Sequence, residues 1–509
     1  VSGDIQVKTV DFSGRPFHFI GIGGIGMSAL AYILAKRQLP VSGSDLRPSH
    51  ITDRLQSVGA QIFNRQEATN LELFQSRDRP TYETLPILAG AGQTGATTNG
   101  NGTGKSSQYL SQMSLDESLP QVICSTAIGK SNSEYLAAKE RGCPIFHRSE
   151  VLSALIAEYH SIAVAGTHGK TTTSSLIGYV LLKAGLDPTI IVGGEVEAWE
   201  GNARLGNSPY LVAEADESDG SLVKHAPKIG IITNIELDHP DHYQNIEQVI
   251  KTFQIFARQC ETAIGCIDCE IVRTQLNPQI TYSLDPKAGA DYTISQIDYH
   301  FGGCTAQVWE RGQLLGQMEL RIPGQHNISN ALAAIAVGRL LGLEFKVMAD
   351  AIATFAGAKR RFEDRGHCNG ITLIDDYAHH PSEIRATLSA ARLKLSQDEK
   401  SRVVAIFQPH RYSRTAAFID EFATAFGDAD LVIVTDIYSA GEVNFHQMSG
   451  QEVADAIACH RDNVFYHPTL KTLSGWLREI LQPGDWALFL GAGNLNQTIP
   501  ELIALYAAQ

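Results

Sequence analysis

The sequence predicts an α/β protein of three domains in series, each built on a largely parallel sheet. Three observations lead there. A chain of 509 residues exceeds a single core, since domains typically hold about 100–200 residues. Short apolar runs alternate with helix-length segments throughout, the pattern of right-handed βαβ crossovers. Two glycine-rich turns, 21–26 and 166–171, each stand between an apolar run and a helical one.

The first domain is expected over 1–149. PFHFI (16–20) reads as a strand, 27–38 as a helix with apolar residues at helical spacing, and 39–45 and 121–128 as further strands. Between them, 88–112 is rich in Gly, Ser, Thr, Asn and Gln. It has too few large apolar residues to fold tightly, so a flexible insertion is expected. The second domain, 150–356, has strands at 161–166, 210–216 and 228–235, a helix over 171–185, and a long helix within 322–342. The third, 357–509, repeats the alternation through ITLIDDY, SEIRATLSAARLKL, RVVAIFQ, TAAFIDEFATAF, DLVIVTDIY and DWALFLGAG.

The formal charge of −14 argues against a nucleic-acid partner, which would select a basic face. No apolar run approaches the ~20 residues that span a bilayer. The first residues lack the basic-then-apolar pattern of a signal peptide, so a cytoplasmic enzyme is expected. The eight cysteines are scattered apart from Cys260, Cys266 and Cys269, a poor zinc set without a second pair or a following histidine pair.

Gly166-Thr167-His168-Gly169-Lys170-Thr171, followed by Thr172, is a phosphate loop one glycine short of the Walker pattern, because Val164 stands where that glycine would be. The strand before it and the helix after it aim backbone N–H groups at a phosphate. Lys170 suits the β- and γ-phosphates, and Thr171 suits Mg²⁺. The similar run at 99–107 has no strand before it and lies inside the insertion. Gly21, Gly23, Gly24 and Gly26 form GxGxxG, with Asp45 ending the next strand. Taken alone, this loop fits an NAD-dependent oxidoreductase, but it is equally a site for any nucleotide diphosphate.

Glu214, Asp216, Glu217 and Asp219 follow a buried strand, where carboxylates serve as Mg²⁺ ligands or form a solvated turn. Asn234, Asp238, His239, Asp241 and His242 follow another. Histidine is unusual on Mg²⁺, so His239 alone suggests hydrogen bonding. His326, Asn327 and Asn330 open a helix, with the asparagines on one face suited to a base edge or to capping. Arg360, Arg361, Arg411 and Arg414 offer guanidinium forks for phosphate or carboxylate. DDYAHHPSE (375–383) adds acids and paired histidines.

With HFIGIGGIGMS, VSGSD, CSTAI, AVAGTHGKTTT, AEADESDGS, TNIELDHPDHY, GQHNISNALAA, RRFE, DDYAHHPSEI, FQPHRYSRT and DIYSAGE in order along nearly the whole chain, the sequence resembles the Mur ligases. The resemblance implies a Rossmann-like UDP-binding domain, a central P-loop ATPase-type domain and a Rossmann-like C-terminal domain for an amino acid. The implied reaction joins L-alanine to the carboxylate of UDP-N-acetylmuramate through an acyl phosphate, in peptidoglycan precursor synthesis. A related reaction attaching a whole peptide is the nearest rival. It implies that Lys170 holds the γ-phosphate, that Thr171 and Glu214 hold one Mg²⁺, and that His239 is a ligand of a second, with Mn²⁺ as a substitute. His326, Asn327 and Asn330 are the implied adenine contacts, and Arg361 and Asp376 clamp ATP. Gly21 to Gly26 and Asp45 are implied for UDP, and Ser125, Thr126, Ala127 and His168 for the muramoyl portion. Tyr377, His379, Arg411 and Arg414 are implied for L-alanine, with His379 and His380 as candidate bases. The expected partners are these small molecules, with no nucleic acid or membrane, in a monomer or weak homodimer. GAGNLNQ (491–497) reads Asn494 and receives no catalytic role.

Overall fold

The computed structural model describes residues 9–74, 119–300, 302–395 and 401–507. The insertion expected at 88–112 and the run at 99–107 lie outside these residues. The chain forms two compact units, Val1–Val151 and Leu152–Gln509.

In the first unit the described strands form one parallel sheet in the order Gln61–Phe63, Val41–Ser44, Phe17–Ile20, Gln121–Cys124, Ile145–His147. Strand Phe17–Ile20 is buried along its length and leads through the first glycine loop into helix Ile25–Lys36. Both of its neighbours follow it in the chain, Val41–Ser44 on one side and Gln121–Cys124 on the other, so the loop stands at the point where strand order reverses, the usual ligand position of an open α/β sheet. His18 and Glu134, both fully buried, meet at 2.8 Å. Ser42, Ser44 and Asn70 complete the hydrogen bonds of this pair, without which burial would be costly.

The second unit holds two sheets among its described residues. The larger runs Gln313–Leu320, Gly303–Glu310, Tyr292–His300, Ile280–Tyr282, Thr262–Cys266, Ile229–Ile232, His160–Ala165, Tyr210–Glu214, Thr189–Val196, Gly201–Arg204. Its middle is parallel, as expected. Both ends are antiparallel: a meander over Tyr292–Leu320 and a hairpin over Thr189–Arg204. The meander carries only a weak sequence signal, because the second half of Tyr292–His300 alternates between half-buried and exposed positions. Helices Lys170–Lys183 and Gln325–Leu340 contribute to the same apolar core, with Ile177 and Val180 joined by Ile328, Leu332 and Ile335.

The smaller sheet runs Glu363–Cys368, Ile371–Asp376, Trp486–Leu490, Val403–Phe407, Leu431–Val434, Val464–Tyr466, parallel except for its first pair. The segment TAAFIDEFATAF, read as one helix, is broken at Phe418 into Tyr412–Ala417 and Ile419–Ala423. The break lets Phe422 and Phe426 reach Phe407, each at 5.4 Å between ring centres. Among the described residues, no helix is long and apolar enough to cross a membrane.

Phe407 is fully buried on a central strand. Phe407→Ala is expected to cost about 3–5 kcal/mol, read as a lowered urea midpoint for the transition of the C-terminal sheet. An unmoved midpoint would refute this account of the core.

Candidate active site

Strand His160–Ala165 delivers the phosphate loop, and helix Lys170–Lys183 starts immediately after it. Two glycines are required by position. Gly166 has φ +140°, and a Cβ there would collide with the Thr233 hydroxyl; Gly169 has φ +81°, and a Cβ would lie 2.8 Å from Asn330 Oδ1. The loop is braced from the next strand end, where Asn234 Oδ1 accepts from the His168 N–H at 2.8 Å and Thr233 Oγ1 donates to His168 O at 2.6 Å.

Lys170 Nζ donates to Gly166 O at 2.7 Å and forms an ion pair with Glu217 at 2.8 Å. Burial opposes its charge, but Glu217, Asp216 and Glu214 more than reverse this and hold its pKa above the ordinary lysine value. Glu217 is pushed up to about 7 by burial, against the pull of Lys170. Cation and carboxylate are thus held in a buried site where each depends on the other.

Asp216, Glu217 and His239 bring one ligand atom each within 4.8 Å of one another. Two carboxylates with one imidazole form a donor set able to hold a divalent cation. Thr171 and Glu214 sit beside the bend at Gly193–Gly194: the Gly193 N–H donates to Glu214 Oε2 at 2.8 Å, and a Cβ on Gly194 would lie 3.0 Å from Thr171 Cγ2. Of the four acids read as Mg²⁺ ligands, those converging on His239 are therefore Asp216 and Glu217, whereas the family resemblance implies Glu214.

A cavity of about 510 Å³ opens beside the loop, lined by His168, Gly169 and Thr172 and by His326, Asn327, Asn330, Arg361 and Asp376. The asparagines do more structural work than their spacing suggested. Asn330 Oδ1 accepts from Thr173 Oγ1 at 3.0 Å, its amide donates to Asn327 Oδ1 at 3.1 Å, and Asn327 donates to Pro323 O at 2.6 Å. Asp376 is buried beneath the cavity, accepting from the N–H groups of Phe362 and Ala378 at 2.7 Å each. Burial raises its carboxyl to about 6. Cys266, Asp268 and Cys269 also line this wall, a contribution that spacing alone did not disclose.

A second charged network joins the two sheets of this unit. His168 Nε2 lies 3.3 Å from Glu236 Oε2, and its Nδ1 lies 3.3 Å from Glu383 Oε1. Burial would lower this imidazole, but the two carboxylates raise it to about 10. Ser382 Oγ donates to Glu236 Oε2 at 2.6 Å. Glu236, Ser382 and Glu383 were not singled out from the sequence; Glu383 carried a signal only as part of the capping box that opens helix Pro381–Lys394.

Arg414 is buried, and its Nε donates to the buried Asp238 Oδ1 at 2.8 Å. Arg411 pairs with Asp241 at 2.8 Å and with Glu442 at 3.4 Å. The forks expected to be open for a carboxylate are therefore matched to acids of the chain itself, Arg414 most completely. His379 is packed between Tyr377 and His410 and is lowered to about 4 by burial. His380 is likewise lowered to about 4. His239, Arg360, Phe362 and Arg411 all have φ between +50° and +68°, so strained backbone gathers around this site.

In the first unit, Gly21 has φ +79°. Asp45 Oδ2 accepts from the Gly23 N–H at 2.8 Å and its Oδ1 from the Arg47 N–H at 3.0 Å. A Cβ on Gly23 would lie 2.8 Å from Asp45 Oδ2, so the acid organises the loop it was expected to assist. Gly24 stands as the N-cap of helix Ile25–Lys36, which contains Gly26. Ser125, Thr126 and Ala127 form a turn after strand Gln121–Cys124, with Thr126 and Ala127 exposed.

Family models match the chain in three consecutive stretches: "Mur ligase family, catalytic domain" over 16–160, "Mur ligase middle domain" over 164–338 and "Mur ligase, glutamate ligase domain" over 360–493. A UDP-N-acetylmuramate–L-alanine ligase of Gloeothece citriformis is 69% identical, covering 98% of this chain and 99% of that protein. The crystal structure of a UDP-N-acetylmuramate–alanine ligase from Thermotoga maritima is 27% identical with a TM-score of 0.76, over 97% of this chain and 99% of that one. A murein peptide ligase from Psychrobacter arcticus shares the fold at 22% identity and TM-score 0.68, over 97% of this chain and 99% of its own.

The His168 network has a calculable pH signature. A raised imidazole contributes stability that is full below 6.5 and is lost as pH rises toward about 10. Glu236, lowered to about 2 from 4.5 with the His168 pairing overcoming burial, contributes above 4.5 and loses that contribution as pH falls through 2. His168→Gln is expected to flatten the decline of stability between pH 6.5 and 10 in urea titrations, and an unaltered slope would refute the assignment. Arg414→Met leaves Asp238 buried without its partner and should cost about 3–5 kcal/mol at neutral pH, checked by the same titration at pH 7.

Proposed function

The chain belongs to the Mur ligase family, and we propose that it joins L-alanine to the carboxylate of UDP-N-acetylmuramate, converting ATP to ADP and phosphate. The observation that carries the chemistry is the placing of Lys170 and its glycine loop beside Asp216, Glu217 and His239, at the edge of a nucleotide-sized cavity. The choice of substrates is supported by the relative 69% identical over nearly the full length, whose name states them.

In this reading, ATP lies in the cavity with its base among His326, Asn327 and Asn330, and Arg361 and Asp376 hold its far side. Lys170 orients the γ-phosphate. Asp216, Glu217 and His239, with Thr171 and Glu214 close by, would hold Mg²⁺, which offsets the charge of two anions brought together. A carboxylate oxygen of the sugar nucleotide attacks the γ-phosphorus; the bond to the β-phosphate oxygen breaks, leaving ADP and an acyl phosphate. The amine of L-alanine, having lost a proton, attacks the acyl carbon, and the tetrahedral adduct collapses with loss of phosphate. Imidazolium at His168 suits the developing oxyanion, and neutral imidazole at His379 or His380 suits acceptance of the ammonium proton. Arg414 is committed to the buried Asp238, whereas Arg411 is one-third exposed beside Asp241 and Glu442, so Arg411 is the fork proposed for the carboxylate of L-alanine, with Tyr377. Gly21, Gly23, Gly24, Gly26 and Asp45, with Ser125 to Ala127, are proposed for the UDP-sugar. The setting we propose is cytoplasmic peptidoglycan precursor synthesis by a monomer or weak homodimer.

The test is phosphate release from ATP and Mg²⁺ with UDP-N-acetylmuramate and either L-alanine or a tripeptide. Release with L-alanine alone is expected; release with the tripeptide alone would replace the proposal with the peptide-adding reaction. Lys170→Ala is expected to lower turnover at least 10³-fold, an order typical for lost transition-state charge stabilisation, while retaining UDP-sugar binding by calorimetry. Turnover within tenfold of the wild type would remove Lys170 from this role.

A further inference from the structure

His168, Glu236 and His380 offer one ligand atom each, all within 4.8 Å of one another. This group is separate from Asp216, Glu217 and His239; His168 and His380 are also the oxyanion partner and a candidate base in the reading above, so a metal here would occupy that same position. The separations suit a small transition metal. Zinc bonds of about 2.0–2.1 Å place neighbouring tetrahedral donors about 3.3 Å apart. Glu236 Oε2 lies 3.3 Å from His168 Nε2 and 3.8 Å from His380 Nδ1, so modest side-chain movement closes the set. Two imidazoles and one carboxylate are also the ligand class of zinc sites that retain an open position.

The surroundings are arranged as the outer shell of such a site. Glu383 Oε1 stands 3.3 Å from His168 Nδ1, which makes no hydrogen bond as the ring is set; a small turn of the ring would give the carboxylate–histidine contact that orients a metal-binding imidazole. Glu383 is fixed in turn by the His379 N–H, which donates at 3.0 Å. Ser382 Oγ donates to Glu236 Oε2 at 2.6 Å. A metal on His380 Nδ1 would displace the capping contacts of helix Pro381–Lys394, which the Ser382 N–H makes at 3.3 Å and the Glu383 N–H completes. His380 is buried, with Nε2 unpartnered, whereas 42% of the Glu236 side chain is exposed, which leaves a route for an ion.

We propose that His168, Glu236 and His380 form a transition-metal site of the zinc class, distinct from the Mg²⁺ group. Its ligands come from both sheets of the second unit: two follow strands His160–Ala165 and Ile229–Ile232, and the third caps helix Pro381–Lys394. Imidazole nitrogen favours zinc over Mg²⁺, which prefers an oxygen shell.

The test uses the full chain, dialysed against Zn²⁺ with Mg²⁺ in large excess, with retained zinc measured by elemental analysis and affinity by competition with a chelating dye. One zinc per chain is expected in the wild type and in His239→Gln. Glu236→Gln should bind at least 100-fold more weakly, and Glu383→Gln about 10–100-fold more weakly, the usual cost of a lost outer-shell partner. His380→Asn removes a ligand yet keeps a helix-capping acceptor, and should match Glu236→Gln. Circular dichroism checks that each variant is folded; the exposed Glu236 position keeps the test decisive should His380→Asn not fold. No zinc retained by the wild type, or zinc lost in His239→Gln but kept in Glu236→Gln, would overturn the proposal.

Discussion

Buried charge is the constraint on which the second unit depends. Asp238 and Arg414, 5% and 3% exposed, follow different sheets and meet through one hydrogen-bonded ion pair. Neither could be buried alone, because an unpaired ion in a low-dielectric interior is costly by several kcal/mol. The same logic recurs at Lys170 with Glu217 and at His168 between Glu236 and Glu383. Each carboxylate fixes a cation: Lys170 and His168 stand in the phosphate loop, and Arg414 reaches His239. A site that gathers phosphates and a carboxylate needs positive charge held in place before the anions arrive. These pairs provide the holding.

Glycine and strained backbone provide the complementary requirement, space. Gly166 and Gly169 let Thr233 and Asn330 press against the phosphate loop, while Gly193 lets Glu214 fold over the adjoining strand. Positive φ at His239, Arg360, Phe362 and Arg411 turns these residues in ways that an ordinary loop would not. Such conformations persist only where the surroundings over-determine them. The ion pairs and aromatic contacts around Tyr377, His379 and His410 are that surrounding structure.

Local features were readable from the sequence, and features created by long-range packing were not. The phosphate loop announced itself through a strand, two glycines and a helix, all within one βα unit. The parallel core of each sheet followed from the alternation of apolar runs with helices. The meander over Tyr292–Leu320 was missed because period-two patterning in a single polar-faced strand is a weak signal. Glu236 and Glu383 were missed for another reason: acids in turns are common, and only their approach to His168, over a hundred residues away from each other in sequence, distinguishes them. Asp45 and Asn330 suit ligand contacts by residue type, yet Asp45 holds the backbone of the first glycine loop and Asn330 holds Thr173 of the helix after the phosphate loop. Residue type located these positions; the division of labour among them required three dimensions.

Helix Pro381–Lys394 supplies Ser382, Glu383, Ala386, Thr387 and Ser389 to the cavity wall, although its own strands belong to the sheet opposite the phosphate loop. The cavity wall is thus shared between two sheets: one face is fixed to the phosphate loop, and the other belongs to a helix packed with the smaller sheet. Whatever sets the angle between the two sheets also sets the room for a nucleotide.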